Sequence, residues 1–206
     1  MAHTKFLGVY IDDKLNWKQH INFISGKVSR CIGMLIKSRK VLNKDSLLTL
    51  YFSFIYPLLI YCNHVWGSTY ASTLYRLEIL QKKVIRIIAG AKPRSSSEPI
   101  FAELGVLKLK EINKYLLLKF MHKFHLNSIP DALSNYFTNV HDIHKYNTRH
   151  SVGLYIPKVS TSLAKNSIKY RGPTIWNEVI KLNINVDISE ATFSYKVKIL
   201  IKDGAL

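Results

Sequence analysis

Ile11–Lys40 reads IDDKLNWKQHINFISGKVSRCIGMLIKSRK, and its periodicity decides the fold class. From Trp17 onward, Ile21, Ile24, Val28, Cys31, Ile32 and Leu35 recur at three- and four-residue steps, the repeat of a helix with one apolar stripe. Asn16 is placed to cap this helix, which should end near Lys40–Asn43. Lys27, Arg30, Lys37, Arg39 and Lys40 fall on its outer face. Upstream, Phe6 to Ile11 is short and β-branched enough for a strand, and Asp12-Asp13-Lys14 reads as a turn.

The same period continues downstream. Asn43 or Asp45 opens an apolar helix with Leu47, Tyr51, Phe54, Leu58 and Tyr61 on one stripe, bent at Pro57. Ser72 to Ala89 predicts a third helix with Leu74, Leu77, Leu80, Val84, Ile87 and Ile88 inward; Lys82, Lys83 and Arg86 lie largely outside, and Gly90 stops it. Pro93 to Ser97 is a polar loop, Ser97 opens a short helix ended by Gly105, and Lys108 to Asn127 is a long amphipathic helix. After Pro130 the periodicity weakens. Tyr136 to Gly153 reads as loop, Leu154 to Ile156 as a short strand, and Tyr170-Arg171-Gly172-Pro173 as a turn. Thr174 and Ser189 then cap two last helices. The expectation is a mainly α protein: a short N-terminal strand and helical bundle over 1–127, then a loop-rich basic region with short terminal helices over 128–206.

Composition points to the partner. The chain has 206 residues, 48% of them apolar, and a formal charge of +17, which costs self-repulsion unless a polyanion offsets it. The charge is segregated. Between Asp13 and Asp45 there are eight Lys or Arg and no acid. Between Asp142 and Glu178 there is again no acid, while Lys145, Arg149, Lys158, Lys165, Lys169 and Arg171 accumulate among Tyr146, Tyr155 and Tyr170. Cations for phosphates with aromatics for stacking make a sequence-tolerant nucleic-acid surface. RNA, DNA or an RNA–DNA hybrid are the expected partners. A membrane is not: Leu47–Trp66 is uncharged but carries Pro57, Asn63, His64 and five hydroxyl-bearing residues, which suits a buried helix better than a spanning one. Cys31 and Cys62 form no CxxC and read as buried free thiols of a reducing intracellular compartment, nucleus or cytoplasm. The first residues lack the apolar core of a signal peptide.

Catalytic chemistry is poorly supplied. Tyr10-Ile11-Asp12-Asp13 has the form of a polymerase metal box, but two-metal phosphoryl transfer needs a further carboxylate from another strand, and a helix rather than a strand follows. A strand-to-helix turn with Asp12 near a helix N-terminus accounts for it better. His122 with His125, and His141 with His144, share a three-residue spacing, yet zinc needs three or four converging ligands and Asp142 is the one carboxylate at hand. Surface or nucleic-acid contacts are the simpler role for these histidines, and no metal or cofactor is expected. No phosphate loop, nucleophile elbow or HExxH is present.

Four pieces in order resemble one family. Lys5 to Asp12 with Leu15, Trp17, His20 and Ile21 resembles the "FLG-V-x-x-D-x-x-L-x-W-x-x-HI" segment of jockey-like and related non-LTR (LINE-type) retrotransposon reverse transcriptases. Tyr51 to Gly67 is similar to their "LY-x-x-x-I-x-P-x-L-x-Y-x-x-x-W" helix, and Leu77 to Gly90 to their "LE-x-x-Q-x-x-x-R-x-I-x-G" helix. Asn147-Thr148-Arg149-His150 with Tyr170 to Asn177 resembles an Arg-containing loop and the "G-x-x-x-WN" box; Glu178-Val179 stands where Leu-Pro commonly follows. The resemblance implies the post-palm, C-terminal part of an RNA-directed DNA polymerase: residues 1–127 as the strand after the palm and a thumb-like domain, with palm and fingers as missing partners. Magnesium belongs to the parent polymerase's palm. By the same resemblance Phe6, Leu7 and Gly8 lie near the primer grip, and the implied function is a truncated fragment that grips template–primer without its own polymerase site. A non-binding helical remnant, or a membrane-associated basic protein using residues 47–66, are the alternatives.

Overall fold

The computed structural model describes residues 3–143 and 153–206, and helices far outweigh its one two-stranded sheet. The chain divides into two compact units, Met1–Ile112 and Asn113–Leu206.

The first unit opens with a hairpin rather than the single expected strand. β1 (His3–Phe6) pairs antiparallel with β2 (Val9–Asp12), Phe6 opposite Val9. Leu7 and Gly8 make the turn at φ 44° and 83°, the doubly positive backbone that a tight two-residue hairpin requires. Leu-Gly therefore breaks the run that β-branched composition alone reads as continuous. α1 (Lys18–Ser38) buries Ile21, Ile24, Val28, Ile32 and Leu35 as its periodicity demands.

α2 (Lys44–Leu50) is capped by Asn43, whose side chain accepts the Ser46 N–H at 2.9 Å. It runs through a π-helical turn, Tyr51–Ile55, into α3 (Tyr56–Ile60). The Tyr56 N–H reaches back five residues to the Tyr51 carbonyl. Pro57 cannot donate and its ring crowds the preceding turn, and the wide turn makes room for it. The extra residue rotates the helix: Leu47, Tyr51, Ile55 and Leu59 are buried, while Phe54 is 50% exposed and Leu58 half-buried. The expected stripe through Phe54, Leu58 and Tyr61 is thus corrected. Cys62 at φ 50° separates α3 from α4 (Asn63–Trp66), so Cys62 is outside any helix, and both thiols are half-buried rather than buried. Among the described residues no helix is long and apolar enough to cross a membrane.

α5 (Ala71–Ile88) packs on α1, and Gly90 at φ 65° follows its end. Ile85 and Gln81 are buried, whereas Leu80 is half-buried. Gln81 Nε2 donates to the Leu107 carbonyl and its Oε1 accepts the Leu109 N–H, both at 2.9 Å, tying α5 to the start of the long helix. α6 (Glu98–Leu104) ends at Gly105, and α7 (Leu109–His125) follows.

The division between units falls inside α7, ahead of the 127/128 boundary placed by sequence. Leu117, Leu118, Met121 and His122 on its second half are buried with the C-terminal segment, because apolar residues there continue past Ile112 and need a partner. The second unit continues with a 3₁₀ turn (Asp131–Leu133), α8 (Val140–Ile143) and α9 (Ser162–Lys165). α10 (Ile168–Lys181) and α11 (Glu190–Lys202) complete it, the latter capped by Ser189 as expected. The strand expected at Leu154–Ile156 reduces to a bridge between Leu154 and Asn139. Tyr170-Arg171-Gly172-Pro173 is not a turn: all four lie within α10, which begins after Ser167 and not at Thr174; the Ser167 hydroxyl donates to the Ala164 carbonyl and does not cap it. Gly172 lets helices approach, since a Cβ there would stand 2.6 Å from Met121 Sδ and 3.3 Å from Phe137 Cζ. Thr174 Oγ1 donates to the Tyr170 carbonyl at 2.7 Å within the same helix.

Candidate nucleic-acid interface

The acidic box resolves first, because its chemistry would outrank any binding surface. Asp12 is 3% exposed and its carboxylate is already engaged. Oδ1 accepts the N–H groups of Lys14 at 3.2 Å and Asn16 at 3.0 Å, and Oδ2 accepts that of Trp17 at 2.8 Å. These bonds hold Leu15 and Trp17 at φ 50° and 61°, an uncommon backbone for such side chains. Asn16, the expected cap, also contributes by accepting the Lys18 N–H at 3.0 Å. A carboxylate spent on three backbone donors does not fit a role as a magnesium ligand, and no metal-dependent step is assigned to it. His20 completes this corner. It is 2% exposed, its Nδ1 accepts the Tyr10 N–H at 3.3 Å, and burial pushes its pKa down to about 4.

His122 and His125 have partners within the fold, while His141 is exposed on α8. His122 is fully buried, stacked on Phe193 at 4.0 Å with rings 6° apart, and Nε2 donates to the Val186 carbonyl at 3.0 Å. Burial lowers its pKa. That corrects its assignment to the surface, which helical spacing could not distinguish from an inward position. His125 pairs with Asp187 at 2.8 Å. His144 lies outside the described residues. Among those described, no three His, Cys, Asp or Glu are grouped to hold a metal ion.

The basic residues divide into those brought together and those not. In the first unit Arg39, just past α1, meets Lys83 and Arg86 of α5 around a cleft of about 620 Å³. Lys92, which the sequence did not single out, joins them, and no acidic residue lines the cleft. Arg86 Nε donates to the Ser95 carbonyl at 2.8 Å, which fixes the loop that carries Lys92. Part of this charge also serves the helices: Arg39 and Arg86 stand at helix C-termini, where a cation offsets the dipole. Arg30, Lys37 and Lys40 are exposed nearby in sequence but do not line the cleft, and Lys27 lies 4.5 Å over the Phe23 ring. Lys82 lines a different hollow together with Glu78, Glu98 and Glu111, so it is separated from its neighbour Lys83.

The four glutamates of this unit are committed elsewhere. Glu103 pairs with Lys44, Glu98 with Lys108, Glu111 with Lys108 at 3.4 Å and Glu78 with Lys110 at 3.5 Å. Among the described residues Arg39, Lys83, Arg86 and Lys92 have no ion pair.

The second unit shows a looser arrangement. Lys165 ends α9, and Lys169 stands on α10 with Nζ 5.6 Å from the Tyr136 ring. Arg171 is half-buried on α10 and desolvation lowers its pKa. Lys169 and Arg171 are two residues apart and so point away from each other on a helix. Lys145 and Arg149 lie outside the described residues. Asn177 instead proves structural: Oδ1 accepts the Leu154 N–H at 2.9 Å and Nδ2 donates to the Leu154 carbonyl at 2.8 Å. Gly153 must lack a side chain here, since its Cβ would sit 2.9 Å from Asn177 Oδ1. Phe6 and Leu7, 62% and 74% exposed, form the hairpin tip with Gly8, and the Tyr61 hydroxyl donates to the Leu7 carbonyl at 2.5 Å.

Comparison with known proteins finds relatives among retroelement polymerases. The chain is 33% identical over 134 residues to the RNA-directed DNA polymerase from mobile element jockey of Drosophila melanogaster, covering 63% of this chain and 14% of that protein. It is 27% identical over 140 residues to the jockey polymerase of Drosophila funebris, covering 65% and 15% respectively. The probable RNA-directed DNA polymerase from transposon X-element of Drosophila melanogaster is 28% identical over 116 residues, covering 54% and 13%. The chain thus matches about one seventh of the length of these relatives. No protein-family model and no solved structure matches it.

Proposed function

The curated homologues of this chain are non-LTR retrotransposon RNA-directed DNA polymerases, and from that premise we propose that it is the nucleic-acid-gripping, thumb-like stretch of such an enzyme. It holds RNA, DNA or their hybrid by the phosphate backbone. The palm and fingers of the parent supply the chemistry, and this stretch adds no metal-holding carboxylate.

One observation carries the proposal: Arg39, Lys83, Arg86 and Lys92 converge on a single cleft that no acid lines, while Glu78, Glu98, Glu103 and Glu111 are occupied by other lysines. A solvated face usually mixes signs; here they are sorted. Contacts of this kind position a backbone and carry no sequence information.

The test is a binding titration of the purified chain with a labelled RNA–DNA hybrid at several salt concentrations. Affinity should fall steeply as salt rises, because each neutralised phosphate releases a counterion. A folded protein that shifts no nucleic acid at low salt identifies a helical remnant instead. Addition of magnesium and nucleotides should give no primer extension, in the wild type or in Asp12→Ala. Extension lost in that variant would restore the catalytic assignment of the box.

A further inference from the structure

Resting on the nucleic-acid reading above, we propose that the cleft between the end of α1 and the second half of α5 receives an unstacked nucleotide of a single strand, not the flank of a duplex. Its lining joins two chemistries. Arg39, Lys83, Arg86 and Lys92 supply positive charge, and Ile36 and Ile79, 41% and 45% exposed, supply an accessible apolar patch.

Single exposed isoleucines need no explanation, but two inside one cation-ringed cleft define an amphipathic ligand. A duplex shows its partner only phosphates and sugars along the backbone, with base faces stacked inside. Laid across this cleft it would satisfy the cations and leave the isoleucines against charged or hydrated groups. A single strand offers both parts at once: a phosphate for the cations and a free base face to cover the two isoleucines. The volume, about 620 Å³, lies within the range of small-molecule sites and exceeds what one phosphate needs.

Gly90, at φ 65°, adds no side chain to this lining, and nothing stands within 4 Å of where a Cβ would be. Among the described residues the lining offers no Asn, Gln, Ser or Thr to pair with adenine, so a contact through the apolar patch favours no particular base.

The experiment compares a labelled single-stranded oligonucleotide with the blunt duplex of the same sequence, at one fixed ionic strength, by fluorescence anisotropy on the full chain. Its variant is Ile36→Ser combined with Ile79→Ser, which alters no charge. Both side chains are partly exposed, and circular dichroism checks that the fold is kept; Ile79→Ser alone serves if the pair is unstable. Single-strand affinity should drop several-fold in the double variant, because the apolar area that covers the base face is lost, while duplex affinity and its salt dependence stay unchanged. Equal weakening of both forms, or no change in single-strand affinity, overturns the inference and leaves general phosphate binding standing. Failure of the wild type to bind either form overturns the underlying reading as well.

Discussion

At the scale of single residues, the acidic and imidazole groups of the N-terminal corner act on the fold. Asp12 accepts three backbone N–H groups, and Asp13 beside it is exposed. Asp12→Ala should cost about 2 kcal/mol, the order expected when charge-assisted hydrogen bonds to buried donors are lost. Asp13→Ala should stay within about 0.5 kcal/mol. Urea unfolding of the two variants checks this, and equal costs would refute the capping role. His20 gives a pH signature. Its pKa falls from 6.5 to about 4 on burial, so between those values the unfolded chain takes up a proton that the folded chain refuses. Stability is therefore fully present above pH 6.5, declines as pH drops through the window and levels off below about 4. The His20 share is at most about 3 kcal/mol. His64 and His122, also lowered by burial, act in the same direction, so the informative measurement is the difference between wild type and His20→Asn. Identical pH profiles would refute it.

At the scale of elements, glycines separate two demands that sequence alone does not distinguish. Gly26 and Gly33 lie on the exposed side of α1, and nothing stands within 4 Å of the position a Cβ would take, so Gly26→Ala and Gly33→Ala should each stabilise by about 0.5–1 kcal/mol. Gly172 gains the same helical preference on conversion to alanine. However, its Cβ would press on Met121 and Phe137, both buried, and overpacking of about 1–3 kcal/mol should outweigh that gain. Thermal melts should therefore move up for the first two and down for the third. A rise for all three would mean that the α10 contact is loose. The π turn ahead of Pro57 belongs to this scale too. It explains why a helix with a sound apolar pattern buries Ile55 and Leu59 in place of Phe54 and Leu58.

At the scale of the whole molecule, the charge excess is shared. The first unit has seventeen Lys or Arg against seven Asp or Glu, and the second thirteen against six. Neither is a neutral scaffold with a basic tail, so the positive excess is spread over both units. Replacing Lys37, Arg39 and Lys40 together with glutamine should weaken binding to all sequences alike. If each contacts a phosphate, the slope of log affinity against log salt should shrink by about 2–3. An unchanged slope would remove this end of α1 from the interface.

The amino-acid order determined, by itself, what depends on neighbours along the chain. The stripe of α1, the Ser189 cap, the stops at Gly90 and Gly105 and the predominance of helix all follow from periodicity and local hydrogen bonding, while the order alone admits Asn43 or Asp45 as the start of α2. It also carried the ordered motifs that resemble retroelement polymerases. Tertiary structure alone decided which cations converge. Arg39 and Lys83 are far apart in sequence yet share a cleft, while adjacent Lys82 and Lys83 part company. The same holds for Gln81, Asn177 and His122, polar residues whose burial is set by partners distant in the chain. Periodicity specifies the face on which a side chain sits; only packing specifies what that face meets.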